Sequence, residues 1–322
     1  FGSGGGVQAG PRKPSGGAGG GAQAGPKSPG GGGFLDVPGA AAAIVDIGLN
    51  LGHKSFQKSL PDIVSRALDK GVTRLVITGT SERASEAGVK MANDPSLCLD
   101  AHTNQRVLYA TAGVHPHDAK QWGPGTRDKI TSLLRDPACV AVGECGLDFN
   151  RNFSPPDVQE RVFEEQVRLA VELGKPLFCH EREAHHKFLE VLSRVEGVRP
   201  ERVCVHCFTG TRAELQTYVD KGFMIGFTGC ICDDKRGKAL RGLVPLVPME
   251  QTMIETDAPF MMPTGNRGRN EPANLPAVLR TVAECHGVGE EEAALATTRN
   301  AVAFFGLEQA SRQVSGGWEL LE

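Results

Sequence analysis

The chain has 322 residues, of which 40% are hydrophobic, so it is long enough to bury a full core, and one domain of about 250 residues is common for α/β barrels. Its formal net charge of −3 excludes a general electrostatic attraction to polyanions, so any nucleic acid must be held by a local basic patch. The nine cysteines lack the regular spacing of a small secreted scaffold, which indicates a reducing compartment. We expect the cytoplasm, with the nucleus as an alternative.

Residues 1–40 are rich in glycine and proline and carry few apolar side chains. Such a segment cannot bury enough surface to offset the entropy of ordering, so a disordered tail is predicted. Because neither a signal peptide nor a run long enough for a membrane span follows, no membrane association is expected. We expect one folded domain over residues 41–308 and a C-terminal tail over residues 309–322.

From residue 41 onward, short apolar runs alternate with amphipathic helical patterns. Eight strands are predicted, over residues 44–49, 74–78, 107–113, 139–143, 176–180, 202–206, 223–227 and 252–256. Helices are predicted between them, over residues 61–70, 81–91 and 156–173 among others, the last opened by Ser154, and two closing helices over 274–306. This alternation predicts an α/β fold, a (β/α)8 TIM barrel with its active site at the carboxyl ends of the strands.

Four predicted strands end in a side chain that can bind a metal: Glu144, His180, His206 and Asp257. An unpaired carboxylate taken out of water costs roughly several kcal/mol, so Glu144 requires a cation, a metal or a proton. An arginine partner would explain Glu144 alone, and a core position would explain either histidine alone. Four such residues at the same end of a barrel instead favour a site for a divalent cation.

Other residues near these strand ends are candidates for the same site. His115 and His117 follow the third strand, and either could bind metal, protonate a leaving oxygen or hold a phosphate. Glu255 precedes Asp257 by two residues, so both carboxylates lie on one face of the strand. The pair Cys204 and Cys207 is less suited to zinc, since residues three apart on a strand face opposite sides.

The chain resembles the TatD deoxyribonucleases, a family of metal-dependent hydrolases with an amidohydrolase-like barrel. The shared motifs are DIGLNL (residues 46–51), GVHPHD (113–118), GECGLDFNRNFS (143–154), HCFTGT (206–211), ETDAP (255–259) and RNEP (269–272). They occur in the family's order over nearly the whole chain, and GECGLDFNRNF is highly specific. The resemblance implies a metal-dependent 3′–5′ exonuclease that acts on single-stranded DNA and possibly RNA.

We assign roles to the residues on this basis. Glu144, His180 and His206 are the predicted metal ligands, and Asp257 is a fourth ligand or the base that takes a proton from water. The remaining catalytic candidates are Glu255, His115 and His117. The ligand types would suit Zn²⁺ or Mn²⁺ as well as Mg²⁺, whereas the resemblance implies Mg²⁺, which we take as the cofactor.

The first strand departs from the wider family. Most members carry a DxHxH pattern there, whereas this chain has Asp46, Gly48 and Asn50 at the corresponding positions. Glycine cannot bind a metal and asparagine offers only a neutral amide, so a complete two-metal site is in doubt. The chain resembles the branch that shares DIGxNL, and a variant site is predicted.

The substrate is predicted to contact arginines and aromatic rings in the loops at the strand ends. The arginine candidates are Arg151, Arg182, Arg267 and Arg269, and the stacking candidates are Phe149, Phe153, Phe208 and Phe260, at least half of which we expect in the core. The expected partner is single-stranded DNA or RNA, and a monomer is expected. Two alternatives remain: a hydrolase of small esters, amides or aminoacyl-tRNA, and a nucleic-acid binder without catalytic activity.

Overall fold

The computed structural model describes residues 43–234, 237–263 and 268–307, together with the backbone of residues 311–314 and 317–320. The predicted disordered tail over residues 1–40 lies outside the described residues, as does Arg267. The predicted C-terminal tail is described only as two strands, β9 (Ser311–Val314) and β10 (Gly317–Leu320), which pair in antiparallel orientation.

Eight parallel strands form one sheet in sequence order. They are β1 (Ile44–Leu49), β2 (Val72–Ile77), β3 (Leu108–Ala112), β4 (Cys139–Asp148), β5 (Leu177–Arg182), β6 (Val203–Val205), β7 (Met224–Phe227) and β8 (Thr252–Ile254). The first and last strands meet at their carboxyl ends, where Asp257 N donates to Gly48 O at 2.9 Å and Asn50 N donates to Ala258 O at 2.7 Å. The predicted (β/α)8 TIM barrel is therefore confirmed.

Helices surround the barrel. They are α1 (Leu60–Asp69), α2 (Glu82–Ala92), α3 (Thr126–Leu134), α4 (Pro156–Leu173), α5 (His185–Ser193), α6 (Arg212–Lys221), α7 (Gly237–Arg241), α8 (Leu275–His286) and α9 (Glu290–Phe305). Their starts follow ordinary capping rules: the Ser81 side chain accepts from Ala84 N, and Thr211 with Glu214 forms a capping box. None of the helices described between residues 43 and 307 combines the length and the apolar character needed to cross a bilayer.

The start of α4 differs from the prediction that Ser154 opens it. Pro155 is the N-cap residue, and no side chain caps the helix. The Ser154 hydroxyl instead donates to His117 O at 2.8 Å and accepts from Lys120 N at 3.0 Å. Ser154 therefore ties the loop before α4 to the turn after β3, at the mouth of the barrel.

β4 is longer than the sequence indicated. The apolar run ends at Gly143, but the strand continues to Asp148 and pairs with β5 through Gly146–His180 and Asp148–Arg182. Glu144 and Asp148 alternate with Cys145 and Leu147, which pack in the layer between the sheet and the helices. The second half of β4 carries the polar side chains of Glu144 and Asp148 inside the barrel, so its sequence lacks the continuous apolar run by which the first half was predicted as a strand.

The amino-terminal end of the barrel is filled by side chains from inside the strands and from α9. Residues of this cluster include Val45, Ile47, Tyr109, Phe178, Cys204 and Met253 from the strands, with Ala301, Phe304 and Phe305 from α9. A second, larger layer packs the outer face of the strands against the helices. Because apolar side chains close the bottom, the polar side chains at the carboxyl ends are reached only from the top.

Candidate metal centre

Glu144 lies inside the barrel near the carboxyl ends of the strands and is only 6% exposed. Its Oε1 atom is 2.8 Å from His206 Nε2, and 3.1 Å from His180 Nδ1. The same oxygen is 3.3 Å from His115 Nε2. Three separate βα units thus bring an imidazole to one carboxylate oxygen. The ligand atoms of His115, Glu144 and His180 lie within 4.8 Å of one another, a spacing that fits a single metal ion.

Two of these imidazoles have a carboxylate on their other ring nitrogen. His180 Nε2 lies 3.2 Å from Asp148 Oδ2, and His206 Nδ1 lies 3.2 Å from Glu255 Oε2. Metal-binding histidines are commonly held in this way, because the carboxylate fixes the tautomer and the orientation of the ring. His117 Nε2 lies 2.8 Å from the same Asp148 oxygen, so this buried carboxylate orients two histidines.

Glu255 occupies a narrow slot between β1 and β7. It is fully buried, and its Oε1 accepts a hydrogen bond from Cys207 N at 2.5 Å. A Cβ atom at Gly226 would lie 2.8 Å from Oε1, and one at Gly48 would overlap Oε2. The slot therefore exists only because both positions are glycine. Gly48, which cannot bind a metal, instead makes room for a carboxylate that contacts His206.

Asp257 lies beside this cluster, at the turn that follows β8. Its Oδ1 accepts a hydrogen bond from Asn50 Nδ2 at 3.0 Å. Asn50, which the sequence suggested only as a weak ligand, therefore holds the Asp257 side chain in place. Asp46, which matches the first position of the family pattern, is fully buried and accepts hydrogen bonds from both the backbone and the side chain of Thr256, which fixes the segment between Glu255 and Asp257.

The charges of the cluster perturb one another strongly. Burial raises the pKa of the Glu144 carboxyl, but the charges of His115 and His206 outweigh burial and hold that pKa well below its usual range. Burial lowers the pKa of His206, but the Glu144 and Glu255 carboxylates raise it well above its ordinary value. Burial, with the charges of Glu144 and Glu255, raises the pKa of Asp257 to about 8. Acidic groups are thus crowded where a cation would relieve their repulsion.

The predicted phosphate-binding arginines occupy different surroundings. Arg151 is exposed, and its backbone N–H donates to Asp148 Oδ1 at 2.7 Å. Arg182 is the last residue of β5 and is partly exposed. The Arg269 guanidinium lies 4.4 Å from the centre of the Phe56 ring and donates to Ser55 O, so it is engaged with the loop after β1.

The four aromatic candidates divide into two pairs. Phe208 is buried and Phe149 packs partly buried against the outer core. Phe153 and Phe260 are exposed, at 59% and 51% of their surface. The expectation that at least half of these rings lie in the core is met by Phe208 and Phe149.

Comparison with known proteins identifies the family. The family model described as "TatD related DNase" matches residues 45–306. The chain belongs to this family. It is 47% identical to a TatD 3′–5′ ssDNA/RNA exonuclease of Shigella flexneri, over 80% of this chain and 95% of that protein, and 46% identical to the Escherichia coli protein of the same name over the same shares. The crystal structure of YJJV, a TatD homolog from E. coli, superposes with a TM-score of 0.74 at 25% identity, covering 83% of this chain and 99% of that one.

The match confirms the predicted family, and with it the prediction of a metal-dependent hydrolase whose relatives are nucleases. Within this TatD barrel the structure brings together the predicted residues Glu144, His180 and His206, with His115 and Glu255 in contact with members of that group. Asp257 lies next to them and His117 is joined to His180 through Asp148.

Sequence reasoning missed the parts played by Asp148 and Asn50. Asp148 lies beyond the predicted strand over residues 139–143, although its separation from Glu144 by four residues places both on one face of an extended strand. That periodicity was the available signal. Asn50 gave no comparable signal, because its partner Asp257 is 207 residues away in the chain.

Proposed function

We propose that this chain is a metal-dependent 3′–5′ exonuclease that hydrolyses phosphodiester bonds in single-stranded DNA and RNA. The observation that carries the proposal is the position of Glu144 Oε1 among His115, His180 and His206. The TatD relatives named as exonucleases on these substrates match 95% of their own length to this chain. Hydrolysis of a nucleic-acid strand from its 3′ end is the activity that accounts for both findings.

A divalent cation fits the side chains that are present. We assign Glu144, His180 and His206 as its ligands, with His115 and Asp257 as further donors on either side. The oxygen donors and the partly open top of the site suit Mg²⁺, which keeps several of its waters, although Mn²⁺ and Zn²⁺ accept the same ligands. When bound, such a cation would acidify water and polarise a phosphoryl oxygen.

The surrounding residues have separate tasks in this proposal. Asp148 and Glu255 orient the imidazoles through the nitrogen that faces away from Glu144. Asp257, held by Asn50, lies where it can accept the proton of the attacking water. His117, at the edge of the site and one-quarter exposed, is placed to give a proton to the leaving 3′ oxygen.

Phosphate groups of the substrate would meet the arginines at the rim. Arg151 and Arg182 are the stronger candidates, because the Arg269 guanidinium already contacts Phe56 and Ser55. We further propose a monomer in the cytoplasm. The nine cysteines, all within the described part of the chain, form no disulfide bond, as a reducing compartment would require. We also propose one hydrolase domain over residues 41–308, flanked by the segments 1–40 and 309–322.

The test compares Glu144→Gln with Glu292→Gln, a matched change at an exposed position in the first turn of α9. Single-stranded oligonucleotides labelled at the 5′ end are incubated with Mg²⁺ or with EDTA. We expect a ladder of products shortened from the 3′ end for the wild type and Glu292→Gln, and loss of digestion by at least about 100-fold for Glu144→Gln. Equal digestion by both variants, or digestion in EDTA, would refute the proposal. Hydrolysis of a simple ester without digestion of oligonucleotides would favour a small-molecule hydrolase.

A further inference from the structure

Two exposed aromatic rings lie at the mouth of the barrel. The described residues include five large hydrophobic side chains with substantial exposure: Leu99, Phe153, Phe260, Met261 and Leu295. Phe153 and Phe260 are the most exposed of these five. Both belong to loops at the carboxyl ends of strands, Phe153 after β4 and Phe260 after β8. The same loops carry or follow the residues that form the candidate metal centre.

The Phe153 ring stands against the histidine that Asp148 orients. Its centre is 4.8 Å from the centre of the His117 ring, and the planes of the two rings are inclined by 77°. Its backbone is held on both sides, because Phe153 N donates to Arg151 O at 2.7 Å and Lys120 Nζ donates to Phe153 O at 2.9 Å. The residue is therefore fixed at its backbone, with Lys120 bound to its carbonyl oxygen, while 59% of its surface is exposed.

The Phe260 ring has a comparable setting on another loop. It meets the His53 ring edge to face, with centres 5.7 Å apart and an inclination of 73°. Phe260 N donates to Asp257 O at 3.0 Å, and Asn270 Nδ2 donates to Phe260 O at 2.6 Å. The backbone is thus fixed directly to the residue that we propose as the base, while half of the ring surface remains in water.

β4 and β8 are four strands apart in a barrel of eight, so their loops lie on opposite sides of the mouth. We propose that Phe153 and Phe260 are two stacking platforms for the bases of a single nucleic-acid strand whose 3′-terminal phosphodiester lies at the metal centre. The inference rests on the proposed function and adds the residues that hold the bases. The Phe153 platform has cations nearby for the backbone, because Lys120 Nζ donates to Phe153 O and Arg151 precedes Phe153 by two residues.

This arrangement gives a physical reason for selecting single strands. A base in a duplex has its faces covered by its neighbours and its edge paired, so it can reach neither ring without being unstacked. Two rings on opposite walls require successive bases to be splayed apart, which costs little in a single strand. Stacking is also tolerant of sequence, because every base has a π face, so both DNA and RNA satisfy it.

The test measures binding without hydrolysis. An oligonucleotide with 2-aminopurine near its 3′ end and phosphorothioate linkages there is titrated with protein in Mg²⁺, and the fluorescence of 2-aminopurine reports stacking. We expect strong quenching by the wild type, and a Kd raised by about 5- to 100-fold with loss of quenching in Phe153→Ala or Phe260→Ala. Phe153→Trp and Phe260→Trp should retain binding, and Leu295→Ala, an exposed hydrophobic residue on α9, is the matched control.

An abasic oligonucleotide of the same length separates stacking from a general disturbance of the loops. The alanine variants and the wild type should bind it with Kd values within about twofold of each other. The inference would be overturned if Phe153→Ala and Phe260→Ala bound the base-bearing strand as tightly as Leu295→Ala does. It would also be overturned if these two variants lost as much affinity for the abasic strand as for the base-bearing strand. Digestion is measured separately from binding. If the wild type digests oligonucleotides but binds them equally well with or without the two rings, only the stacking platforms are rejected. If binding depends on the rings but the wild type digests nothing, only the exonuclease activity is rejected.

Discussion

Gly48 in β1 and Glu255 after β8 are complementary in shape: the missing side chain of the glycine leaves the space that the glutamate carboxylate fills. A Cβ atom at position 48 would overlap Glu255 Oε2 and would lie 2.8 Å from Phe178 Cζ. Glu255 in turn contacts the ring of His206. A position at which most members of the family carry a histidine therefore supports, as glycine, the orientation of His206.

Gly48→Ala should displace the Glu255 carboxylate and weaken metal-dependent activity. We expect destabilisation by about 1–3 kcal/mol from overpacking, with a higher Mg²⁺ concentration needed for half-maximal digestion. Gly52→Ala is the control, since a Cβ there would meet only Met91 Cε at an ordinary 3.5 Å. Thermal unfolding and Mg²⁺ titration of activity give the two readouts. Identical Mg²⁺ requirements in the two alanine variants would show that the slot has no influence on the metal.

Asp148→Asn should lower the affinity for the metal without removing a ligand. His180 and His117 both contact Asp148 Oδ2, while Oδ1 accepts from Arg151 N, so an amide has to turn its NH2 group towards one of these partners and loses the negative charge. Loss of such an orienting carboxylate typically costs about 10–100-fold in metal affinity or activity. Mn²⁺ binding followed by calorimetry measures this directly. Asp118→Asn, on the turn after β3, is the matched control, because the Asp118 carboxylate accepts from Gln121 Nε2 at 2.9 Å rather than contacting an imidazole ring. An unchanged Mn²⁺ affinity in Asp148→Asn would remove Asp148 from the site.

Removal of divalent metal should reduce thermal stability. The carboxylates of Glu144 and Glu255, which are buried, and of Asp257, which is half-buried, repel one another. A cation bound only by the folded chain stabilises it by about 2.7 kcal/mol at 100 times its Kd. For a domain of this size that corresponds to a rise in Tm of about 5–10 °C on adding saturating Mg²⁺ or Mn²⁺. Differential scanning calorimetry with metal and with EDTA provides the comparison. Glu144→Gln should show a clearly smaller rise, and a rise equal to that of the wild type would place the cation elsewhere.

Phe305→Ala should destabilise the barrel from the end opposite to the site. The ring is 5% exposed and fills the bottom of the barrel, with its centre 6.3 Å from that of Phe178. Truncation of a buried phenylalanine costs about 3–5 kcal/mol, as loss of burial and the cavity add together. Urea unfolding measures the change. Leu295→Ala, on the exposed side of the same helix, should stay within about 0.5 kcal/mol, because alanine is at least as good a helix former as leucine. A comparable loss there would contradict the assignment of the Phe305 effect to a cavity in the barrel.

The sequence alone determined the class of fold and the residue types of the site. Alternating apolar runs and amphipathic patterns predict eight strands and their helices, because both periods are local properties of the chain. Glu144, His180, His206 and Asp257 stood out for the same reason, since each follows an apolar run. The family motifs added the expected chemistry, and the family match confirms it.

Only the tertiary structure decided which of these residues touch. The contact of Glu144 with three imidazoles, the hold of Asn50 on Asp257 and the fit of Gly48 to Glu255 join segments up to about 207 residues apart. The burial of Phe208 and the exposure of Phe153 and Phe260 were equally hidden, because all are phenylalanines in polar loops. The physical reason is that hydrophobic periodicity and secondary-structure propensity depend on near neighbours in the chain. The orientation and burial of a side chain, and the shape of the space around it, instead depend on strands and helices that are distant in sequence and pack against it.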